Sequence, residues 1–197
     1  VTIIPVQTPE PKPAEKKFTD LDGTQWANDS IEQLVKLGVV SGYEDGRFRP
    51  DDQITREQFV KLLITAFDLQ DDSADCNYVD VNQEQWYYKY IASAKKIGLV
   101  NGESDTSFGI GKSITRQNMA ELGYRILVYK NIEVKQVNEA IKFNDALEID
   151  EDALPAVSKI QQAGIINGVG DGNFNPKGFA TRAQACKIIY NILKLSK

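Results

Sequence analysis

Ile54-Thr55-Arg56-Glu57-Gln58 returns in this chain as Ile114-Thr115-Arg116-Gln117-Asn118 and again as Ala180-Thr181-Arg182-Ala183-Gln184. Each copy opens an apolar run with helical spacing: Phe59, Leu62, Leu63, Ala66 and Phe67, then Met119, Leu122, Ile126 and Leu127, then Ala185, Ile188, Ile189, Ile192 and Leu193. Thr followed three residues later by Gln or Asn reads as a capping box, each side chain satisfying an amide at the helix start. The Arg falls on the first helical position, where the helix dipole disfavours a cation by roughly 0.3–1 kcal/mol. Three Arg residues at one such position point to a side chain held there to meet an anion.

Outward from these starts, the whole unit repeats. The first copy runs Phe18-Thr19-Asp20, Trp26, Gly38, Gly42, Phe48, Thr55-Arg56. The second gives Tyr78-Val79-Asp80, Trp86, Gly98, Gly102, Phe108, Thr115-Arg116, and the third Phe143-Asn144-Asp145, Gly164, Gly168, Phe174, Thr181-Arg182. From the first Gly onward the spacing is identical in all three, which assigns repeats to 18–70, 71–130 and 131–197. Residues 1–17, with Pro5, Pro9, Pro11 and Pro13, read as a Pro-rich linker.

Within a repeat, Ile31 to Leu37, Ile91 to Ile97 and Ala156 to Ala163 have the spacing of a short helix closed by a left-handed Gly cap. A loop follows, with Asp-Gly turns in the first and third copies. The middle loop, Glu103 to Lys112, lacks the Asp-Gly and is expected to differ in shape. The connector Lys130 to Lys142 is expected to be partly helical. No single helix pair can bury the long stripe, so the units must pack on one another. The expected fold is mainly α: three helix-loop-helix repeats closed as a pseudo-threefold trimer, with a central three-helix bundle and grooves between prongs.

Composition narrows function by exclusion. The formal net charge is −5 and no block of Lys or Arg occurs, so neither nucleic acid nor an anionic membrane is an expected partner. No His is present, which removes the commonest general base and most transition-metal sites. Asp20 to Gly23 has the start of a calcium loop without the remaining ligand spacing, so no metal and no cofactor is expected. Cys76 and Cys186 are read as unpaired thiols, Cys186 on a buried helical face, with a disulfide left open. The chain opens without a basic leader and lacks an apolar run of about 20 residues, so neither a signal peptide nor a membrane span is expected. It is read as continuing from a longer, processed protein.

The aromatic-x-Asp openings, Trp26 and Trp86, the Gly-x-x-x-Gly spacing and the Thr-Arg starts resemble the S-layer homology family over 18–197. The resemblance implies a non-catalytic module on the cell wall or S-layer of a Gram-positive-type bacterium. It would be a monomeric part of a longer surface protein that binds a secondary cell-wall polysaccharide attached to peptidoglycan, commonly one bearing a pyruvate ketal. The ketal carboxylate would meet Arg56, Arg116 and Arg182 together with free helix-start amides. Thr55, Thr115 and Thr181 would shape the pockets, and Gly42, Gly102 and Gly168 would allow close backbone approach. Asp20, Asp80 and Asp145 would bond sugar hydroxyls or brace the groove, and Trp26 and Trp86 would offer flat faces to a sugar ring.

Against the family pattern, Gln58, Asn118 and Gln184 replace an acid, and Asp152 stands where a third Trp would fall. The Arg182 site, in the repeat without Trp, is therefore expected to be the weak one. Arg56→Ala with Arg116→Ala is expected to abolish binding and leave the fold intact. Two other functions compete: a protein-interaction or S-layer self-assembly module, favoured by large apolar groove faces, and a glycosidase, which needs paired carboxylates in one cleft. No such pair stands out in the sequence.

Overall fold

A computed structural model describes residues 18–196; the linker read over 1–17 lies outside them. The described residues form six α-helices: α1 (Gln25–Lys36), α2 (Arg56–Ala66), α3 (Tyr88–Lys96), α4 (Arg116–Tyr129), α5 (Leu154–Gln162) and α6 (Arg182–Leu195). A single 3-10 turn, Ala146–Glu148, precedes α5, and no extended strand forms among these residues, only isolated bridges. No helix among them is long and apolar enough to cross a membrane.

The short helices α1, α3 and α5 end where the sequence says, because Gly38, Gly98 and Gly164 take φ near +70°, a left-handed conformation open to glycine without strain. They begin earlier than the apolar spacing predicts. Trp26 is consequently the second residue of α1, whereas Trp86 precedes α3. The long helices α2, α4 and α6 all start at the Arg. Thr55 and Thr181 head complete capping boxes with Gln58 and Gln184. Asn118 is one methylene shorter than Gln: Thr115 still accepts from the Asn118 amide, but Asn118 Oδ1 accepts the Thr115 hydroxyl at 2.8 Å and bonds no helix-start amide.

Packing runs across the repeats. α2 packs on α3, α4 on α5, and α6 returns to pack on α1; α6 also touches α2 and α4. Each short helix thus lies on the long helix of the repeat before it. Between them sits one buried cluster holding Phe48, Phe108 and Phe174, Phe59, Leu63, Met119, Ile126, Ile188 and Ile192. Just before the long helices the backbone closes on itself: Ile54 N donates to Ala180 O at 3.0 Å, Ala180 N to Ile114 O at 2.9 Å, and Ile114 N to Ile54 O at 3.0 Å.

The middle loop, which lacks Asp-Gly, differs in shape as expected: Gly102 takes φ +73° where Gly42 and Gly168 stay out of the left-handed region, although one closing bond is shared by all three. Glu103 N donates to Ser107 O at 2.8 Å, as Tyr43 N does to Arg47 O and Val169 N to Asn173 O. The connector after α4 is not helical. Asn131, at φ 51°, ends the helix, and the buried Gln161 ties down the following chain, accepting from Ile141 N and donating to Glu139 O. Cys76 and Cys186 are free thiols, and burial pushes Cys186 up to about 12.

Candidate functional site

The Arg on the unfavourable end of each long helix reaches back to the next repeat. Arg56 Nε donates to Phe108 O at 3.1 Å, Arg116 Nε to Phe174 O at 2.8 Å, and Arg182 Nε to Phe48 O at 3.0 Å. Each guanidinium also lies about 5 Å from the centroid of that Phe ring, a cation–π distance. Arg116 Nη2 donates to Asn167 O at 2.9 Å and Arg182 Nη2 to Ser41 O at 3.2 Å. None of the three makes an ion pair with a described carboxylate. Arg116 is buried and Arg56 and Arg182 partly so, none is neutralised by a described carboxylate, and each ties one repeat to the loop of the next. Burial lowers the Arg116 pKa to about 10 and also lowers that of Arg56.

The sequence expectation of free helix-start amides is corrected here. Arg56 N donates to Lys112 O, Arg116 N to Gly178 O and Arg182 N to Asp52 O, each at 2.9 Å. Gln117 N and Ala183 N go to Pro176 O and Pro50 O, and the third amide of each helix goes to its capping Thr. The closure that brings the repeats together fills these amides with carbonyls; among the described residues the Glu57 amide alone of the nine has no partner, so at α4 and α6 an anion must be met by side chains. Among the described residues, Nη1 of Arg116, Nη1 of Arg182 and both Nη of Arg56 make no hydrogen bond.

The Asp openings brace the loops. Asp20 takes the amides of Phe48 and Arg49 at 2.8 and 2.7 Å, and Asp145 those of Phe174 and Asn175 at 2.8 and 2.6 Å. Asp80 takes Phe108, Gly109 and Ile110 together with the Ser107 hydroxyl. Burial pushes the Asp80 carboxyl up, but those donors outweigh it and hold it at about 2. The glycines are spoken for in the same way. A Cβ on Gly42, Gly102 or Gly168 would meet Arg47 O at 2.8 Å, Ser107 O at 2.5 Å or Asn173 O at 2.6 Å, so the close approach they permit is to their own loop.

Two hollows gather the remaining candidates. One, of about 560 Å³, lies between the loop and long helix of the first repeat and is lined by Gly42, Tyr43, Lys61, Trp86 and Arg182. The other, of about 430 Å³, is its counterpart on the third repeat, lined by Trp26, Arg116, Gly168, Val169 and Lys187. Trp26 and Trp86 are 49% and 47% exposed, so half of each ring faces solvent. Lys61 Nζ lies 5.5 Å from the Trp86 centroid. Each groove therefore combines the loop and helix of one repeat, the Trp of the next and the Arg of the one before.

That order corrects the expectation for Arg182, which has Trp86 beside it. Arg56 is the Arg left without a Trp. The groove lysines were not picked out from sequence, although both fall five residues after a Thr-Arg Arg. Arg116 also cannot be deleted innocently. Arg116→Ala leaves the buried Phe174 carbonyl without its donor and is expected to cost about 2 kcal/mol of stability, read as a lowered urea midpoint; an unchanged midpoint would show that the tie contributes nothing.

The S-layer homology domain model matches residues 17–60, 77–120 and 142–186. The chain is 32% identical over 98% of its length to an endoglucanase of a Bacillus species, covering 20% of that protein. It is also 32% identical over 92% of its length to an amylopullulanase of Thermoanaerobacterium thermosulfurigenes, covering 10% of it. Against the S-layer protein sap of Bacillus anthracis the identity is 32% over 89% of the chain, covering 21% of that protein. The chain thus spans about a fifth or less of these curated relatives.

Proposed function

The chain belongs to the S-layer homology family with three tandem repeats, and from that premise we propose that it is a non-catalytic anchor holding a longer surface protein to the cell wall through an acidic wall polysaccharide. The observation that carries this reading is the repeated pairing of an Arg and a Lys with a half-exposed Trp face in the two grooves. A carboxylate on a sugar suits that set. The cations take the charge and the indole takes the apolar face of the ring. A pyruvate ketal is a fitting acidic group because it is carried on the ring itself. Relatives named as an S-layer protein and as polysaccharide-degrading enzymes are consistent with a shared attachment module on the cell surface.

We further infer that the three repeats, 18–70, 71–130 and 131–197, close as a pseudo-trimer. The ring of backbone hydrogen bonds through Ile54, Ile114 and Ala180 supports this, as does the return of α6 onto α1. In this reading Arg116 and Arg182 are the groove cations, the Thr residues and Gly42 and Gly168 hold the groove walls, and Asp20, Asp80 and Asp145 act through the loops. Two grooves on one module also raise avidity for a polymer, because the second contact is made at high effective concentration.

The test is sedimentation of the purified chain with cell-wall sacculi. It is expected to pellet with intact sacculi, to lose most of that binding when the pyruvate is removed, and to stay in solution once the polysaccharide is stripped. Equal pelleting with stripped walls would overturn the anchor reading and favour a protein partner.

A further inference from the structure

We propose that the chain has two grooves for an acidic sugar and that its third is closed to one by charge, with Glu103, Glu121 and Asp152 as the specificity-determining residues. The proposal rests on the carbohydrate reading above and deepens it. It comes from comparing the same three positions in each groove. The residue after the second loop Gly is Tyr43 in one groove and Val169 in the other, but Glu103 in the third. Five residues after the Thr-Arg Arg stand Lys61 and Lys187, but Glu121 in the third. Twelve residues before the cap Gly stand Trp86 and Trp26, but Asp152 in the third.

All three differences change the groove in one direction. The grooves of Arg182 and Arg116 each present an Arg and a Lys with no carboxylate in their lining. The corresponding hollow on the second repeat, about 410 Å³, is lined by Glu121 and Asp152 with Tyr124 and Arg125; Arg56 and Glu103 stand outside its wall, Glu103 entering the comparison through its place in the loop. Arg125 does not restore a free cation. It pairs with Glu121 at 3.6 Å and donates to Leu99 O at 3.1 Å. Glu121 is further fixed by Asn118 Nδ2 at 3.0 Å, and Glu103 is held by Lys112. Burial lowers the Arg56 pKa, and the charges that most oppose this are Glu103 and Glu121. An incoming carboxylate would therefore meet Glu121 and Asp152 with the one wall cation, Arg125, already paired, and a ring would find no indole to stack on. Like charge at such a distance works against binding, whereas Lys at the same place works for it.

The experiment counts sites by titration calorimetry with a monovalent probe, a methyl hexopyranoside bearing a pyruvate ketal. The unaltered chain is expected to bind two equivalents. The triple variant Glu103→Tyr, Glu121→Lys, Asp152→Trp is expected to bind three, and Lys61→Glu is expected to bind one. Three sites on the unaltered chain would overturn the proposal, as would an unchanged count in Lys61→Glu or in a triple variant whose circular dichroism matches the parent. Absence of any heat from the unaltered chain is a different failure, one that removes the acidic-sugar reading itself.

Discussion

Gly102→Ala is expected to destabilise the chain by about 3–5 kcal/mol, the largest loss from any one-methyl addition to its loops. Gly102 sits at φ +73°, a conformation that costs an L residue about 1–2 kcal/mol by itself. The new Cβ would also stand 2.5 Å from Ser107 O and 2.7 Å from Ser104 O, backbone atoms of the turn that Glu103 N closes. Neither oxygen can retreat without opening that turn. Phe108, on the same loop, is fully buried and accepts Arg56 through its carbonyl, so the strain reaches the tie between two repeats. Gly42→Ala serves as the comparison. Its shortest contact is the Phe18 ring at 2.2 Å, a side chain that can turn away, and its φ is not in the left-handed region. The expected order of urea midpoints is wild type, then Gly42→Ala, then Gly102→Ala; a Gly102→Ala protein within about 1 kcal/mol of wild type would refute the steric account.

Lys61→Ala combined with Lys187→Ala is expected to weaken binding to the wall polysaccharide about a hundredfold and to leave the melting curve unchanged. Each lysine is half-buried and stands where its removal strips no backbone carbonyl of a donor, in contrast to the arginines. A charge-assisted contact contributes about 1.5–3 kcal/mol, and partial exposure brings that nearer the tenfold step of about 1.4 kcal/mol per groove. On a polymer that engages both grooves the two factors multiply. Sedimentation over a range of sacculus concentrations measures the change. A loss of less than about threefold with both lysines removed would exclude them from the binding surface. Restoring affinity with Lys61→Arg and Lys187→Arg would show that charge, rather than the lysine stem, is what the ligand meets.

The repeats, the helix types and the long-helix starts were legible in the sequence because each rests on local chemistry: Thr-x-x-Gln caps, glycine at a left-handed position and an apolar stripe. The ends of the short helices were less so. α1 starts at Gln25 because tertiary packing on α6 extends it beyond its apolar stripe. The site was legible in composition and misread in wiring. Arg at a helix start signals an anion only if the helix amides are free, and the carbonyls that fill them come from another repeat, 56 or more residues away. The same distance hid the pairing of Arg182 with Trp86, which no inspection within one repeat could supply. Lys61 and Lys187 carried a signal, the register with Glu121, but it acquires meaning only once the grooves are known to share a construction.

The offset packing described above has a consequence for how such a chain can be lengthened or shortened in descent. The stretch that a duplication copies holds a short helix followed by a long one, whereas the layer that buries surface joins a long helix to the short helix of the following copy. Excising one copy cleanly from the middle would leave its neighbours able to pair, but the three-membered ring of Ile54, Ile114 and Ala180 would have lost a member. A fourth copy would find every donor and acceptor of that ring already matched. Repeat number is thus a quantised property of such a closure.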